Sequence, residues 1–455
     1  MTHKHPEATF TRRRFLQGAA LTGAGIAAYG AYSWTRPSST AKGKIVIIGG
    51  GAAGLNIAAR LNRALAQPDI TVIDPAAVHF YQPGFTLIAA GVFNADEIQR
   101  PQASLIPDGV RLMPDSVVSI EAERNRLVTA ANGVVEYDYL VLAPGLEMHF
   151  DAIEGISLDR LGDGNVHCIY DFKSAQNCWP AIQKLSASGG RAYFTDTWTK
   201  LKCGGAPKKI NMIAEDYCRL QGTRNKVDFQ FYTAVDHLYD VQPFRKRLEE
   251  IYIDRAIPVT MNHRVKSVDT QARRVTFERH IKVDAPAAGE PATRIETVTR
   301  DFDFLHIVPP MSAPQFVIDS SLSFNEAAGK NADWVPTDKS TLVHKRFKNV
   351  FVAGDVAGIP TSKTSAAIRM QAPVVAANII ATMEGRRPDA IYDGYAACPF
   401  VTQYGKVLMA EFDYTKKPRP TLPLLDPGRE HRAGWLLKRH VLKPMYFELM
   451  LRGLA

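Results

Sequence analysis

The segment "GKIVIIGGGAAGLNIAARL", from Gly43 to Leu61, constrains the fold most strongly. A β-branched run leads directly into a turn that contains Gly49, Gly51 and Gly54, and an amphipathic helix follows. Glycines at these places allow a tight turn, let the backbone approach a pyrophosphate, and let the helix pack closely on the strand. The phosphates would lie at the positive end of the helix. The segment therefore predicts a Rossmann-like dinucleotide-binding unit.

Three later segments complete this unit. The strand "ITVID" ends at Asp74, where an acidic residue is expected to bind ribose hydroxyls. The strand "YDYLVLAPG" ends in a small-residue turn with Ala143 and Gly145, and "RFKNVFVAGDVAG" is a strand that ends at Gly354 and Asp355. In flavoproteins with two dinucleotide folds, the first kind of turn lies beside the adenine half, and the Gly-Asp pair binds the flavin's ribityl chain and phosphate. These segments predict FAD as the cofactor.

Residues 152–301 have α/β signals of their own. The strands "RAYFTDTW" and "VDFQFYTA" alternate with the helices "KKINMIAEDYCRL" and "FRKRLEEIYIDRA". The first strand-to-helix turn reads "WTKLKCGGAP" and has no phosphate-binding glycine motif. We therefore expect a second Rossmann-like unit that does not bind NAD(P)H.

Composition limits the functional classes. The chain has 455 residues with 46% hydrophobic and 22% charged residues, as expected of a globular protein with two or three domains. The formal net charge of +9 is not concentrated in one block, which argues against nucleic acid and suits an anionic substrate or a lipid surface. The five cysteines form no CxxC pair and no zinc spacing, so no metal site is expected.

The N-terminal segment "TRRRFLQGAALTGAGIAAYGAY" begins at Thr11. It resembles a twin-arginine signal, which exports folded proteins with their cofactor already inserted. The sequence therefore predicts a periplasmic protein. The alternative is a fortuitous basic start followed by a small membrane anchor, and the weak cleavage site at Ala28 to Gly30 leaves this open.

Six further motifs carry a family resemblance. They follow in order along the chain: "HFYQPGFTLIAAG", "LKCGGAPKKI", "HIVPPMSAP", "PTSKTSAA", "YDGYAACPFVTQY" and "AEFDY". They resemble the sulfide:quinone oxidoreductases, in particular the mitochondrial type and its bacterial relatives. The resemblance implies FAD in the first unit, two redox cysteines on the sulfide side of the flavin, and a quinone that enters from the membrane on the other side.

The resemblance places Cys203 at the flavin-facing cysteine. The lysines around it and the start of the next helix favour a thiolate. The resemblance also places the second cysteine directly after the Gly-Asp pair, where Val356 stands. Three explanations remain open: Cys398 substitutes, Cys203 works with an external sulfur species, or the substrate is not sulfide. The last two are favoured, because the resemblance implies that the cysteine of the tail motif is not the partner.

Lys363, in "TSKT", is predicted to act beside the flavin. It precedes a helix whose N-terminus should face the flavin pyrimidine, so its charge would stabilise the anionic reduced flavin. The alternative is a solvated lysine in the first helical turn. The remaining cysteines are expected to be buried and inert: Cys168, Cys178 and Cys218.

The tail "AGWLLKRHVLKPMYFELMLRGLA", from Ala433 to Ala455, mixes aromatic, apolar and basic residues. It predicts a pair of amphipathic helices, interrupted at Pro444, that lie in a membrane interface. On this interpretation, removal of residues 434–455 lowers membrane binding and leaves the flavin content nearly intact. The alternative is ordinary packing against the core or against a second copy of the chain.

The predicted fold is α/β, with two Rossmann-like units and a C-terminal membrane-associating segment. The predicted domains are a signal and linker at 1–40, an FAD-binding domain at 43–151 and 302–390, a second unit at 152–301, and a quinone-facing region at 391–455.

The predicted function is oxidation of sulfide or a related sulfur compound, with electrons passed through FAD to a membrane quinone. The alternatives are a flavoprotein subunit like that of flavocytochrome c sulfide dehydrogenase, or a non-catalytic FAD-binding protein. Homo-oligomer formation stays open.

Overall fold

The computed structural model describes residues 39–283 and 292–455. The twin-arginine motif lies outside the described residues. Five parallel strands form what we call the first sheet, with Lys44–Ile48 at its centre. The order across the sheet is Val350–Val352, Tyr139–Leu142, Lys44–Ile48, Asp69–Ile73 and Arg111–Met113. The sheet has the parallel pairing that the glycine-rich segment predicted.

Helices Ala52–Ala64 and Ser365–Met383 pack against each other beside the first sheet. Among the described residues, Ser365–Met383 is the one helix whose length and composition would allow it to cross a membrane, with a mean hydropathy of 1.3 over its window. More than half of that window, 56%, is buried inside the protein. Its apolar character is therefore explained by its position in the core.

The second sheet also has five parallel strands. Their order is Val166–His167, Phe304–His306, Gly190–Thr195, Val227–Tyr232 and Val259–Thr260. The helices of this part are Phe172–Ser188, Ala206–Leu220 and Gln242–Asp254. The prediction of two Rossmann-like sheets is confirmed.

One predicted boundary differs from the structure. The sequence predicted that the FAD-binding domain resumes at residue 302. In the structure, however, Phe304–His306 pairs with Gly190–Thr195 in the second sheet. The strand is fully buried there, because it completes the sheet between two of its neighbours. The chain rejoins the first sheet only at Val350–Val352. The other domain boundaries stay predictions.

Antiparallel strands extend from the two main sheets. One three-stranded sheet contains Val117–Glu121, Arg126–Thr129 and Gly133–Glu136, and another contains His263–Asp269, Arg274–Lys282 and Thr293–Asp301. Two short pairs join Val78–Phe80 with Gln99–Pro101, and Glu147–Met148 with Met311–Ser312. A further pair joins Phe324–Asn325 with Lys330–Asn331, and two short helices lie at Phe85–Ile88 and Gln315–Ile318.

The tail begins with an antiparallel sheet, the tail sheet, formed by Ala396–Gln403, Lys406–Phe412 and Glu430–His431. A helical run from 432 to 450 follows, in which α-helical turns alternate with π-helical turns: Arg432–Leu436, Leu437–Val441, Leu442–Pro444 and Met445–Met450. The expected break at Pro444 does not occur. Wide π-helical turns on both sides accommodate the missing N–H of the proline.

Candidate active site

A single cavity of about 1410 Å³ joins the three parts of the molecule. Its walls come from the glycine-rich turn of the first sheet, the turn after Gly190–Thr195, and the tail. The carboxyl ends of parallel strands lie at one edge of each sheet, which is where ligands bind in α/β folds. The cavity therefore occupies the place where such a fold would hold a dinucleotide.

The glycine-rich turn leaves no room for side chains except at one place. A Cβ atom on Gly49 would lie 2.3 Å from the Ala143 carbonyl oxygen, and one on Gly54 would lie 1.9 Å from the Gly49 carbonyl oxygen. Gly49 also has a φ of +98°, which favours glycine. At Gly51, a Cβ would meet nothing within 4 Å. The turn is thus closed on its inner side and open where a pyrophosphate would approach.

The other predicted cofactor residues lie around the same space. Asp74, Ala143, Gly145, Gly354 and Asp355 all line the cavity together with Gly49 and Gly51, whereas Gly54 packs inside the turn. Asp74 Oδ2 accepts a hydrogen bond from the Gly50 N–H at 2.5 Å, and its Oδ1 accepts one from the Ala76 N–H at 2.7 Å. The arrangement fits an FAD molecule, and the individual contacts with it stay predictions.

Lys363 is held by the loop that carries Asp355. Its Nζ donates hydrogen bonds to the carbonyl oxygens of Asp355 at 2.5 Å and Ala357 at 3.0 Å, and it lies 3.6 Å from the centre of the Trp334 ring. Burial lowers the pKa of Lys363 to about 7. Burial also raises the pKa of Asp355, against the opposing charge of Lys363. Lys363 therefore stabilises the shape and charge of this loop, and its predicted effect on the flavin stays a prediction.

The turn of the second sheet presents Cys203. This residue has a φ of +46°, a conformation that costs a non-glycine residue energy and is often found at functional sites. Its N–H donates to the Lys363 carbonyl oxygen at 2.8 Å, and its own carbonyl oxygen accepts from the Ala206 N–H at 2.7 Å. The first of these bonds joins the cysteine turn to the loop beside the FAD cradle.

Cys398 lies next to Cys203. Their sulfur atoms are 3.5 Å apart, although the residues are far apart in sequence. A Cβ on Gly205 would lie 2.5 Å from the Cys398 sulfur, so this glycine allows the tail sheet to reach the turn. The structure therefore brings Cys203 within reach of Cys398, the partner that the sequence analysis had disfavoured, and a disulfide between the two stays a prediction. Val356, by contrast, is completely buried and does not line the cavity.

The two thiols differ in charge. A hydrogen bond from Cys398 is the largest cause that lowers the pKa of Cys203 well below its ordinary value; burial opposes this. Lys209 lowers that pKa further, because its Nζ lies 3.1 Å from the Cys203 sulfur. The same Cys203–Cys398 hydrogen bond, together with burial, raises the pKa of Cys398. Within the pair, Cys203 is thus the sulfur that favours the thiolate form, and Cys398 is the one that favours the protonated thiol.

A second lysine of this cluster was not found from the sequence. Lys438, from the tail, is only 3% exposed, and its Nζ lies 3.4 Å from the Pro83 carbonyl oxygen. Burial and the charge of Lys209 lower the pKa of Lys438 to about 7, while the two cysteines oppose that shift. The alternation of basic and apolar residues in the tail suggested a surface helix and gave no sign that this lysine points inward.

The tail is part of the cavity wall. His79 Nε2 and the Tyr446 hydroxyl are 2.7 Å apart, while His79 Nδ1 lies 3.2 Å from the Gly50 carbonyl oxygen in the glycine-rich turn. Arg63 donates to the Gly453 carbonyl oxygen at 2.5 Å. Tyr446 and Met450 line the cavity that fits the cofactor, so we now expect that removal of residues 434–455 lowers the flavin content as well as membrane binding.

The other three cysteines are fully buried: Cys168, Cys178 and Cys218. None of them lines the cavity. Burial raises the pKa of Cys168 to about 12, so its thiol stays protonated at neutral pH. These observations agree with the inert role predicted for them.

The class of protein follows from the fold, the cradle and the cysteine pair. Residues 43–179 match the family model described as pyridine nucleotide-disulphide oxidoreductase. Two Rossmann-like sheets and a cavity suited to FAD define an FAD-dependent oxidoreductase of this class.

More similar relatives identify the family. The chain is 34% identical over 414 residues to the mitochondrial sulfide:quinone oxidoreductase of Mus musculus, with 90% of this chain and 86% of the relative covered. It is 33% identical over 434 residues to the mitochondrial enzyme of Schizosaccharomyces pombe, with 90% of each chain covered. The chain belongs to the sulfide:quinone oxidoreductase family, and the resemblance seen in its motifs is confirmed.

Solved structures show the same fold. The sulfide:quinone oxidoreductase of Aquifex aeolicus superposes with a TM-score of 0.71 at 22% identity and covers 87% of this chain and 89% of its own. A chain of the mitochondrial ATP synthase of Tetrahymena thermophila gives a TM-score of 0.75 at 18% identity, with 92% and 99% covered. The fold thus also occurs in a chain of a different kind of assembly, so function must be argued from the site.

Proposed function

We propose that the protein oxidises sulfide and passes the electrons through FAD to a membrane quinone. The observation that carries this proposal is the contact between Cys203 and Cys398 in the wall of the FAD-sized cavity. FAD, when bound, accepts an electron pair from the cysteines and gives it to the acceptor. Membership of the sulfide:quinone oxidoreductase family supports the proposed donor and acceptor.

The charges of the two cysteines give the reaction a direction. In the oxidised protein the two sulfurs form a disulfide, and hydrosulfide attacks one of them. The thiol with the lower pKa is the better leaving group, so attack on the Cys398 sulfur expels Cys203 as a thiolate. The products are a persulfide on Cys398 and a thiolate on Cys203, which Lys209 stabilises.

The cycle closes when the outer sulfur leaves. A nucleophile such as an external thiolate takes this sulfur from the persulfide and leaves Cys398 as a thiolate. The two cysteine thiolates then re-form their disulfide and release two electrons, which pass to the cofactor. The buried ammonium of Lys209 stabilises the anionic stages of this exchange, because its Nζ lies 3.1 Å from the Cys203 sulfur.

The outer part of the cavity suits a lipid-soluble acceptor. Apolar side chains of the tail line it: Leu422, Leu425, Leu436, Leu437, Val441 and Leu442. Around them Leu424 is 98% exposed, Leu436 47% and Val441 43%, beside the exposed basic residues Arg432 and Arg439. An exposed apolar patch with basic neighbours is typical of a surface that lies on a membrane. This feature supports quinone over the haem subunit of a flavocytochrome-like complex.

The twin-arginine segment supports a periplasmic location as part of the proposal. Relatives from mouse and fission yeast are named as mitochondrial enzymes. That location belongs to those proteins, and the location proposed for this chain rests on its own N-terminal segment. Expression in a bacterial host with and without the twin-arginine translocase tests the export route. Periplasmic flavoprotein that depends on the translocase supports it, and export through the general secretory route contradicts it.

An anaerobic titration tests the function. Sulfide added to the purified holoprotein should bleach the flavin absorbance, and a quinone analogue added afterwards should restore it. Counting of free thiols should find a Cys203–Cys398 disulfide in the oxidised holoprotein and should show it opened once sulfide is in excess over the flavin. A protein that binds FAD but is not reduced by sulfide would be a non-catalytic FAD-binding protein or an enzyme for another substrate.

Point variants test the membrane surface without disturbing the cavity core. Leu424→Ser should bind liposomes several-fold more weakly, because the substitution removes a 98% exposed apolar side chain that does not line the cavity. Its flavin content and its activity with a water-soluble acceptor should be unchanged. Ile253→Ser, at a 78% exposed position on Gln242–Asp254, is the control and should have no effect on liposome binding.

A further inference from the structure

Arg369 is a charged residue of the cavity wall that the proposed chemistry has not used. It lies in the second turn of helix Ser365–Met383 and is half-buried. In the described part of the chain its guanidinium forms no hydrogen bond and no ion pair, and the guanidinium carbon lies 6.0 Å from the centre of the Tyr395 ring. A half-buried guanidinium without a counterion has lost part of its hydration, and a ligand in the cavity can supply the missing partner.

Glu411, the buried carboxylate bonded to Tyr395, does not serve as that partner. Glu411 is 4% exposed and accepts a hydrogen bond from the Tyr395 hydroxyl at 2.6 Å. Thr421 donates two more to it, from its hydroxyl at 2.5 Å and its N–H at 2.9 Å. Three hydrogen-bond donors, from Tyr395 and Thr421, thus satisfy the Glu411 carboxylate. The donors of Arg369 remain available to a molecule in the cavity.

The surroundings indicate what kind of molecule this is. Ala397, Pro399 and Met409 of the tail sheet line the same cavity, so the walls near Tyr395 are largely apolar. Five N–H donors on one planar group suit an oxygen atom that carries negative charge. An apolar ring with an oxygen that becomes negative during the reaction satisfies both conditions, and a quinone head group has this chemistry.

We propose that Arg369 binds an oxygen of the quinone head group and stabilises the negative charge that this oxygen carries during reduction. The inference rests on the proposed function, since it assigns a residue to the quinone half of that reaction. The quinone gains two electrons, which come from sulfide, and two protons, which come from water. The guanidinium of Arg369 lowers the energy of the oxygen anion before its proton arrives. The site therefore favours quinones that bind as anions.

The experiment compares two ligands and four proteins. Hydroxynaphthoquinone is an anion at neutral pH, and naphthoquinone is its uncharged counterpart. Equilibrium dialysis measures the binding of each to the oxidised holoprotein, without turnover. Arg369→Gln should weaken the anion about tenfold or more, as expected for a lost charge-assisted hydrogen bond, and should change the uncharged ligand much less. Arg369→Lys should restore part of the difference.

Arg419 supplies the matched control. Its guanidinium also lies near the Tyr395 ring, at 5.7 Å, but it is paired with Asp393 on the outer surface. Arg419→Gln should leave the preference for the anion intact. In rapid-mixing experiments Arg369→Gln should slow the reoxidation of the reduced protein by quinone about tenfold and leave its reduction by sulfide at the wild-type rate.

The outcomes separate this inference from the proposed function. If sulfide does not reduce the wild-type flavin, the proposed function fails, while the binding assay still tests Arg369. If Arg369→Gln weakens both ligands equally or neither of them, the inference fails even when sulfide oxidation is normal. Loss of FAD from Arg369→Gln would also overturn it, because the residue would then bind the cofactor.

Discussion

The molecule contains two strand–turn–helix units with the same topology and different chemistry. In the first, Lys44–Ile48 leads through the glycine-rich turn to Ala52–Ala64. In the second, Gly190–Thr195 leads through residues 196–205 to Ala206–Leu220. Both units place the N-terminus of a helix beside the end of a buried parallel strand, which is a favourable position for negative charge.

The two turns differ in what they present to the cavity. The first turn presents backbone, because Gly51 has free space where a side chain would be. The second presents side chains, namely the Cys203 sulfur and the Lys209 ammonium that contacts it. The second turn also contains a glycine, Gly205, but its missing side chain leaves room for the Cys398 sulfur and not for a phosphate. One topology thus supports cofactor binding in one sheet and thiol chemistry in the other, according to the residues of the turn.

The largest effect should come from removing the thiols of the second turn. Cys203→Ser and Cys398→Ser should each slow the reduction of flavin by sulfide about a thousandfold or more, because neither variant can form the disulfide that sulfide attacks. Anaerobic rapid mixing measures this rate. The control is Cys218→Ala, a buried thiol away from the cavity, which should retain nearly full activity. A Cys398→Ser variant with wild-type activity would show that Cys203 works without this partner.

The second largest effect should come from the first turn. Gly51→Ala should lower the affinity for FAD about tenfold to a hundredfold, since the methyl group would occupy the place where phosphate approaches the backbone. The apoprotein should keep its thermal stability, because Gly51 has an ordinary extended backbone with a φ of −75° and no neighbour to clash with.

Gly204→Ala is the matched substitution in the second turn. A Cβ there would meet only Leu201, at 3.8 Å, so FAD affinity should stay at the wild-type value. Titration of the apoproteins with FAD, followed by flavin fluorescence, measures both affinities. Equal losses in Gly51→Ala and Gly204→Ala would mean that the two turns do not divide their roles as the structure suggests.

A third prediction concerns the reductant. NADH should reduce the flavin at least about tenfold more slowly than sulfide, because the second turn offers side chains where a pyrophosphate needs backbone donors. Stopped-flow traces with each reductant at equal concentration give the comparison. Faster reduction by NADH than by any sulfur compound would contradict both this contrast and the proposed mechanism.

Local sequence patterns predicted the two sheets well. The strands that end at Ile48, Leu142 and Val352 and the helix that follows the glycine-rich turn could all be located from hydrophobic runs and glycine spacing. These features depend on residues that are close in sequence. The cavity residues Asp74 and Asp355 were found for the same reason, since Asp74 directly follows one buried strand and Asp355 lies three residues after the end of another.

Long-range packing could not be predicted in this way. The contact between Cys203 and Cys398 depends on how the tail sheet packs against helix Ala206–Leu220, across a separation of 195 residues. The inward position of Lys438 depends on the same packing, because an amphipathic pattern shows which face of a helix is apolar and not what covers it. The family resemblance pointed to the position of Val356 for the second cysteine, whereas the structure places the sulfur of Cys398 against that of Cys203.

The smallest effect should come from Lys209, which adjusts the second turn without taking part in bond exchange. Its Nζ lies 3.1 Å from the Cys203 sulfur and helps to hold the pKa of that thiol below its ordinary value. A thiol with a lowered pKa is a thiolate above that pKa and loses its charge as the pH falls through it. Lys209→Gln removes the positive charge, so the pKa of Cys203 should rise and the thiolate should be lost at higher pH than in the wild type. The rate of alkylation of Cys203 by iodoacetamide, followed against pH in the reduced protein, shows an inflection at the pKa of this thiol and so reports the shift directly.

Lys200→Gln, which changes an exposed lysine of the same turn, is the control and should leave the inflection in place. Because the hydrogen bond from Cys398 remains in Lys209→Gln, the rate of flavin reduction by sulfide at neutral pH should fall only about tenfold. An inflection that is unchanged in Lys209→Gln would mean that Cys398 alone sets the charge of Cys203. The second turn would then differ from the glycine-rich turn through its two sulfur atoms and not through its lysine.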